Sequence, residues 1–250
     1  MSDPGPSESE EKQVSADGFT AEGEATDRAK REPIFNQTPV GVAWLIGIIL
    51  VTHIILALLG DPVIETIRAE FGVVPANFFA NLNQQKWVAA VIPLFTHQFL
   101  HGGTLHIVMN LAMLLQAGPI AELGLSRNRN RNWDGTIRFI CLFLGSGICG
   151  ALTYCWLNPG SDAPTIGASG AISGVFAGFL WAAIALAKPG QAMLRPVLNS
   201  AVVFLLINVG LAWVGRTLNV VPIAWESHLG GFIGGLILYP LISRFGQQAR

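Results

Sequence analysis

Ser169 and His228 are a serine and a histidine whose positions in the sequence suggest that they could together carry out hydrolysis. Ser169 lies in Gly167-Ala-Ser-Gly170 at the start of one apolar segment, and His228 begins another that continues with Gly231 and Gly235. A serine hydroxyl becomes an effective nucleophile when an adjacent imidazole takes its proton. Because both segments look long enough to cross a membrane, the pair predicts hydrolysis inside a bilayer.

The composition is that of a membrane protein with several spanning segments. Of the 250 residues, 51% are hydrophobic and 12% are charged, and the mean hydropathy is +0.49. This apolar content exceeds what a soluble domain of the same length would bury. A lipid bilayer is therefore the expected environment, and we expect no nucleic acid as a partner.

The formal net charge of -1 hides an uneven distribution, since the acidic residues crowd the first 32 positions. Residues 1–35 are predicted to form a disordered acidic tail on the cytoplasmic side. This stretch lacks the basic start and short apolar core of a secretory signal, so we expect the first apolar segment to be retained as an anchor. Residues 36–245 form the predicted membrane domain, and residues 246–250 a short C-terminal tail.

The cysteines favour neither metal nor redox chemistry. Cys141, Cys149 and Cys155 all fall in one apolar segment. Their spacing is not that of a CxxC metal site, and no cysteine elsewhere could form a disulfide with them. We interpret them as small packing residues and expect no metal and no cofactor.

Six apolar segments approach the length of about 20 residues that a spanning helix needs. They are residues 40–59, 105–123, 138–157, 168–187, 197–213 and 228–242. The predicted fold is therefore all-α, a polytopic bundle of six transmembrane helices with a long first loop. That loop, residues 60–104, mixes aromatic residues with charges and prolines, which predicts amphipathic pieces at the membrane interface.

The basic residues predict the orientation of these segments. They concentrate in the connections before segment one, between two and three, between four and five, and after six: Arg28, Lys30, Arg31, Arg127, Arg129, Arg131, Lys188, Arg195, Arg244 and Arg250. The alternate connections hold Arg68, Lys86 and Arg216. The positive-inside rule then predicts a multi-pass protein of the cell membrane with both termini in the cytoplasm.

This topology brings polar residues from distant parts of the chain to one depth. Segments two, four and six run from the outer face inward, and His106, Ser169 and His228 each lie within roughly the first turn of theirs. The small-residue spacing of the glycines in segments four and six lets two helix backbones approach closely in a membrane. We therefore expect Ser169 and His228 to meet just under the outer surface.

Stabilisation of a developing oxyanion requires hydrogen-bond donors near the nucleophile. His106 and Asn110 are four residues apart and share one face of their segment, and the unpaired first amides of segment four lie near Gly167 and Ser169. These residues are the predicted oxyanion and substrate-binding group. Segments four and six contain no Asp or Glu, and Glu226 lies in the outer loop. We therefore predict a Ser-His dyad whose imidazole is held by helix packing.

The motifs closely resemble the rhomboid family of intramembrane serine proteases. They are Phe-Thr-His97-Gln-Phe-Leu-His101-Gly-Gly-Thr-Leu-His106-Ile-Val-Met-Asn110, then Gly167-Ala-Ser-Gly170, then His228-Leu-Gly-Gly-Phe-Ile-Gly-Gly235. The resemblance covers about residues 37–243. It implies a six-helix rhomboid bundle with a water-filled cavity open to the outside, in which a serine attacks transmembrane segments of other membrane proteins.

Carried onto this sequence, the resemblance implies a role for each matching residue. Ser169 would be the nucleophile, His228 the general base and then acid, and His106 with Asn110 the oxyanion donors. Glu122 would be a structural glutamate at the inner end of the second helix. His97 and His101 would lie near the cavity mouth in a structural, water-holding or catalytic role.

The sequence departs from the family pattern at two places. Ile92-Pro93 replaces the Trp-Arg pair that many rhomboids carry before the Phe-Thr-His stretch. Ser173 occupies the position where many members place a tyrosine that stacks on the catalytic histidine. Neither departure removes a reacting group.

Two other functions compete with proteolysis. A non-catalytic relative of the same fold would bind membrane clients without cutting them, but such proteins typically lack the serine or the histidine. A transporter would use the Gly-rich start of segment four as an unwound substrate or ion site. That function predicts two related halves and buried carboxylates, whereas Glu122 is the only acid within a proposed span. Nothing in the sequence specifies an oligomeric state.

Overall fold

The computed structural model describes residues 38–126, 132–217 and 224–244, which are almost entirely helical. The predicted tails at residues 1–35 and 246–250 and the basic connection with Arg127, Arg129 and Arg131 lie outside the described residues. The helices are α1 (Val40–Leu59), α2 (Asp61–Phe71), α3 (Pro75–Asn83), α4 (Trp87–Thr96), α5 (Thr104–Leu125), α6 (Asn132–Leu157), α7 (Ser169–Ala185), α8 (Leu194–Thr217) and α9 (Trp225–Arg244). A 3₁₀ turn, His97–Phe99, follows α4.

Four of the described helices are long and apolar enough to cross a membrane, and they are α1, α5, α6 and α8. Helix α7 has 17 residues, and α9 is a continuous helix that contains four glycines and carries Glu226 and Arg244 near its ends. Both helices were predicted as spans. Helix α7 is apolar but shorter than the other candidate spans.

The predicted long first loop is mostly helical, because residues 60–104 contain α2, α3, α4 and the 3₁₀ turn. Backbone hydrogen bonds tie this region to the connection between α6 and α7. Val73 and Thr165 exchange both of their N–H···O bonds, at 3.1 and 2.9 Å, and the Ala76 N–H donates to the Ser161 carbonyl at 3.1 Å. The segment that leads into Ser169 is therefore braced from outside the bundle.

The centre of the bundle is the contact between α7 and its neighbours. Ten residues of α7 are buried, and most of them are glycine, alanine or serine. A Cβ atom placed on Gly231 would overlap the carbonyl oxygen of Gly170, and one on Gly235 would overlap the carbonyl oxygen of Gly174. Helices α7 and α9 therefore touch backbone to backbone, as the glycine spacing predicts.

Helix α1 is fastened to the bundle by Glu122, near the C-terminal end of α5. The buried carboxylate accepts the N–H groups of Gly41 and Val42, each at 3.0 Å, and the hydroxyl of Thr136 at 2.7 Å. Amide groups in the first turn of a helix have no partner within the helix and attract negative charge. Glu122 therefore caps α1 from a different helix.

Helix α8 lies at the edge of the bundle. Among its described side chains, Phe204 is the only buried one. Phe204 stacks on Phe176 of α7 and Phe232 of α9, with ring centroids 4.8 and 5.2 Å apart. Aromatic stacking is thus a main attachment of α8.

Candidate active site

Ser169 is the first residue of α7 and follows a turn that requires glycine. Gly167 has φ +120°, a conformation that side chains other than glycine rarely adopt. This turn sets Ser169 at the helix N-terminus, where the first amide groups point out of the helix without intrahelical partners. The serine is partly exposed, so a substrate can reach its hydroxyl.

The hydroxyl of Ser169 and the imidazole of His228 are in hydrogen-bond contact. Ser169 Oγ lies 2.7 Å from His228 Nε2, across 59 positions of sequence. The close approach of Gly170 and Gly231, which lie one residue after Ser169 and three residues after His228, keeps the backbones near enough for this contact. His228 is also partly exposed, which leaves room for a reacting group beside the pair.

A third side chain lies at this site, Asn208 of α8, which is not among the site residues predicted from the sequence. Its Oδ1 lies 2.5 Å from His228 Nδ1, and its Nδ2 donates to the Phe204 carbonyl at 2.8 Å. The signal was present, because an amide in the middle of an apolar segment is costly unless it has partners. The sequence could not show which face of α8 meets His228, so Asn208 was not recognised.

Glu226 is the acidic residue nearest to His228 in sequence, but it faces elsewhere. It was predicted to lie in the outer loop, whereas it belongs to the first turn of α9. Its carboxylate accepts a hydrogen bond from Asn158 Nδ2 at 3.4 Å. The polar group on His228 is therefore an amide rather than a carboxylate.

His106 lies beside the turn that precedes Ser169. Its Nδ1 accepts the Gly102 N–H at 3.3 Å, so the neutral ring carries its proton on Nε2. A Cβ atom on Gly167 would come within 2.7 Å of Nε2 and Cε1 of this ring. The missing side chain of Gly167 thus lets the His106 ring approach the site.

Gly167 and Asn110 were predicted to bind the oxyanion or substrate, and each already donates a hydrogen bond within the protein. The Gly167 N–H donates to the His97 carbonyl at 2.8 Å. Asn110 is buried, and its Nδ2 donates to the His106 carbonyl at 2.9 Å. The amide group of Asn110 carries a second hydrogen, whereas Gly167 has no other N–H to offer.

His97 and His101 brace the same turn from the segment before α5. His97 Nδ1 contacts the Pro93 carbonyl at 2.9 Å, and His101 Nε2 accepts the Ala168 N–H at 3.5 Å. Burial lowers the pKa of both histidines to about 4. Both rings are therefore neutral at pH 7, as acceptance of an N–H by His101 requires.

Ser173 and Ile92-Pro93, the two departures from the family pattern, have structural contacts. The Ser173 hydroxyl is buried and donates to the Ser169 carbonyl at 2.8 Å. Ile92 and Pro93 lie within α4, and the Ile92 carbonyl accepts the Thr96 hydroxyl at 3.1 Å. Asn208, rather than a stacked ring at position 173, is the group that contacts His228 here.

No cluster of three or more His, Cys, Asp or Glu side chains suited to a metal ion occurs in the described ranges. Cys155 is buried and Cys149 half-buried, whereas Cys141 is exposed. Packing explains the first two of these thiols better than the third.

Three curated proteins of similar sequence have rhomboid names. Rhomboid protease GluP of Bacillus subtilis (strain 168) is 26% identical over 170 residues, which are 66% of this chain and 29% of that protein. RHOMBOID-like protein 7 of Arabidopsis thaliana is 29% identical over 154 residues, 58% of this chain and 41% of that protein. RHOMBOID-like protein 5 of the same plant is 26% identical over 140 residues, 56% of this chain and 40% of that protein.

The chain thus spans less than half the length of each of these curated relatives. A family model, the Rhomboid domain, matches residues 87–245. This range is more than half of the 250 residues and includes Ser169, Asn208 and His228. Together with the long apolar helices, the match shows that the chain is a membrane protein and belongs to the rhomboid family.

Proposed function

We propose that this protein is an intramembrane serine endopeptidase that cleaves transmembrane segments of other membrane proteins near the outer face, with Ser169 as nucleophile and His228 as general base. The observation that carries the proposal is the 2.7 Å contact between Ser169 Oγ and His228 Nε2. This contact is the minimum unit for acyl transfer by a serine. Membership of the rhomboid family supports the same chemistry.

The reaction begins when His228 Nε2 takes the proton from Ser169 Oγ as the oxygen attacks a substrate carbonyl. The C–O bond forms while the carbonyl π electrons move to oxygen, giving a tetrahedral oxyanion. The imidazolium then gives its proton to the leaving amine as the C–N bond breaks. Water, deprotonated by the same imidazole, then attacks the carbonyl of the acyl-enzyme, and the imidazolium returns the proton to Ser169 Oγ as the ester C–O bond breaks.

Donors for the oxyanion lie on two sides of Ser169. The first N–H groups of α7 are unpaired within the helix, and the helix dipole adds positive potential there. On the other side, His106 carries a proton on Nε2 next to Gly167, and Asn110 has a second amide hydrogen. Removal of one donor from such a site costs about 10²–10³ in rate.

The proposed arrangement in the membrane has six spans, which add α7 and α9 to the four long apolar helices. Seventeen residues of α7 give a rise of about 26 Å, close to the roughly 30 Å of a hydrocarbon core. The proposed orientation is multi-pass in the cell membrane with both termini cytoplasmic, and residues 36–245 forming the protease domain. Ser169 and His228 would then lie near the outer face.

The substrate proposed is a transmembrane helix that unwinds near its outer end. A helix shields its peptide bonds, so hydrolysis needs a locally extended backbone. Segments with glycine or other weak helix formers unwind at lower cost. Transmembrane protein substrates and the lipid bilayer are therefore the proposed partners.

Purified protein reconstituted in liposomes tests the proposal with a single-pass reporter and a fluorophosphonate probe. We expect the wild type to cleave the reporter and to be labelled on Ser169. Ser169→Ala and His228→Ala should lose both activities, while Ser200→Ala, the same type of change on α8, should keep them. A Ser169→Ala protein that still cleaves would refute the assignment.

The same experiment separates the proposal from a non-catalytic client-binding protein. Such a protein would capture the reporter without cutting it, and its serine would resist the probe. Because Ser169 and His228 are both present and in contact, we expect labelling.

A further inference from the structure

Asn208 places a polar amide in the apolar middle of α8, beside the imidazole of His228. The residues of α8 around it are mainly leucine, isoleucine and valine. A polar group without partners in such surroundings costs several kcal/mol. Asn208 avoids that cost through two hydrogen bonds, one to its own helix and one to His228.

These two hydrogen bonds fix the orientation of the amide. Nδ2 donates to the Phe204 carbonyl, so Oδ1 is the atom that faces His228 Nδ1. Exchange of the amide oxygen and nitrogen would place Oδ1 against the Phe204 carbonyl oxygen. Both atoms are acceptors, so no hydrogen bond could form between them. The backbone of α8 therefore determines that an acceptor is presented to the imidazole.

An acceptor at Nδ1 determines where the neutral imidazole carries its proton. With Nδ1–H donated to Asn208 Oδ1, the lone pair is on Nε2, which faces the Ser169 hydroxyl at 2.7 Å. The opposite tautomer would leave two acceptors facing each other at Nδ1. It would also direct an N–H at the nucleophile and could not take its proton.

We propose that Asn208 is a positioning residue of the catalytic pair, which holds His228 in the tautomer and ring orientation that can take the proton from Ser169. This inference rests on the proposed protease function. It replaces the expectation that packing alone holds the imidazole. Asn208 touches neither Ser169 nor the substrate in this scheme, and it acts through His228.

An amide suits this position better than a carboxylate would. It supplies an acceptor before proton transfer and keeps accepting the same N–H from the imidazolium afterwards. A carboxylate would stabilise the imidazolium more strongly, but it would add a charge on a helix that crosses the hydrocarbon region. The neutral amide therefore orients the base at a lower cost in stability.

The location of Asn208 gives the base a conformational requirement. Phe204 is the only described side chain of α8 that is buried, and it lies one turn before Asn208. If α8 moves away from α7 and α9, His228 loses its acceptor. Competence of the Ser-His pair therefore depends on the docking of α8.

Three variants test the proposal in the full-length protein in liposomes. Asn208→Leu keeps the approximate shape and removes the acceptor, whereas Asn208→Asp restores an acceptor. Asn199→Leu is the matched control, because it makes the same change nine positions earlier, on the opposite face of α8. The readouts are the rate of fluorophosphonate labelling, and kcat and KM for the single-pass reporter.

We expect Asn208→Leu to lower the labelling rate and kcat about 10- to 100-fold, with KM unchanged. Asn208→Asp should recover most of this loss, and Asn199→Leu should match the wild type. Equal rates for Asn208→Leu and Asn199→Leu would overturn the positioning role, as would a failure of Asn208→Asp to recover any activity. An unlabelled wild type would instead overturn the protease assignment together with the inference.

A measurement on the unmodified protein covers the case in which Asn208→Leu fails to fold. Imidazole ¹⁵N signals of His228 distinguish a protonated Nδ1 from a protonated Nε2. We expect the neutral ring to have its proton on Nδ1. A proton on Nε2 would overturn the proposal, whatever the variants do.

Discussion

The two neighbours of His228 are held in very different ways. Ser169 begins α7, which lies in the centre of the bundle and touches α9 through the backbones of Gly170 and Gly231. Asn208 belongs to α8, where Phe204 is the one buried side chain among those described. The imidazole thus has a rigidly placed partner at Nε2 and a loosely attached one at Nδ1.

This difference separates two requirements of a serine hydrolase. The distance between nucleophile and base must be constant, and backbone contact between glycines fixes it without relying on flexible side chains. The tautomer of the base requires an acceptor at Nδ1, and here Asn208, on a helix at the edge of the bundle, is the proposed acceptor. The glycine contact in the core therefore sets the distance between Ser169 and His228. The acceptor at His228 Nδ1 is in place only while α8 is docked.

Gly231→Ala tests the backbone contact between α7 and α9 and should have the largest effect. The new Cβ would overlap the carbonyl oxygen of Gly170, which is backbone and cannot rotate away. Helix α9 must therefore shift, and a displacement of about 1 Å in a catalytic geometry can cost roughly 100-fold in rate. We expect fluorophosphonate labelling of Ser169 to fall at least about 100-fold.

Gly210→Ala is the matched control for this change. A Cβ on Gly210, in α8, meets no atom within 4 Å, so the same substitution should leave labelling near the wild-type rate. If Gly231→Ala were labelled as fast as Gly210→Ala, backbone contact would not be what sets the Ser169–His228 distance.

The sequence indicated the contact between Ser169 and His228 but not the contact between Asn208 and His228. Glycine spacing and the direction of the segments indicated that α7 and α9 approach each other near Ser169 and His228. Both are local or topological properties, so they can be inferred from spacing. Helix limits were also close, although α6 begins at Asn132 rather than at the predicted residue 138.

Asn208 and the predicted oxyanion donors depend on contacts that spacing does not specify. The face that α8 turns to α9 is determined by the packing of Phe204 with Phe176 and Phe232. Likewise, the commitment of the Gly167 N–H to the His97 carbonyl results from how the first connection folds over the site. Such contacts join segments that are distant in sequence, so a single sequence does not reveal them.

Helix α1 is also attached at the periphery of the bundle, but by a polar side chain, that of Glu122. Glu122→Ala would leave the N–H groups of Gly41 and Val42 and the Thr136 hydroxyl without their acceptor. Buried polar groups that lose a charged partner cost about 2–4 kcal/mol. We expect that loss in the free energy of unfolding, measured by denaturant titration in detergent, with labelling of the folded fraction retained.

Glu65→Ala provides the comparison for Glu122. Glu65 pairs with Arg68 on an exposed part of α2, and exposed ion pairs contribute little to stability. The unfolding transition should therefore stay near that of the wild type. Equal effects of the two substitutions would contradict a role of Glu122 in holding α1.

Phe204→Ala tests the attachment of α8 to the bundle and should have the smallest effect. It removes the ring that stacks on Phe176 and Phe232, so α8 should be docked for less of the time and His228 should lose its acceptor more often. We expect the labelling rate to fall about 3- to 10-fold, which is roughly 0.7–1.4 kcal/mol. The small probe reports on the Ser-His pair without requiring entry of a substrate helix.

In the Asn208→Leu background the acceptor is already absent, so the additional loss of labelling caused by Phe204→Ala should be smaller than in the wild type. Equal losses in both backgrounds would show that docking of α8 acts on the site by a route other than Asn208.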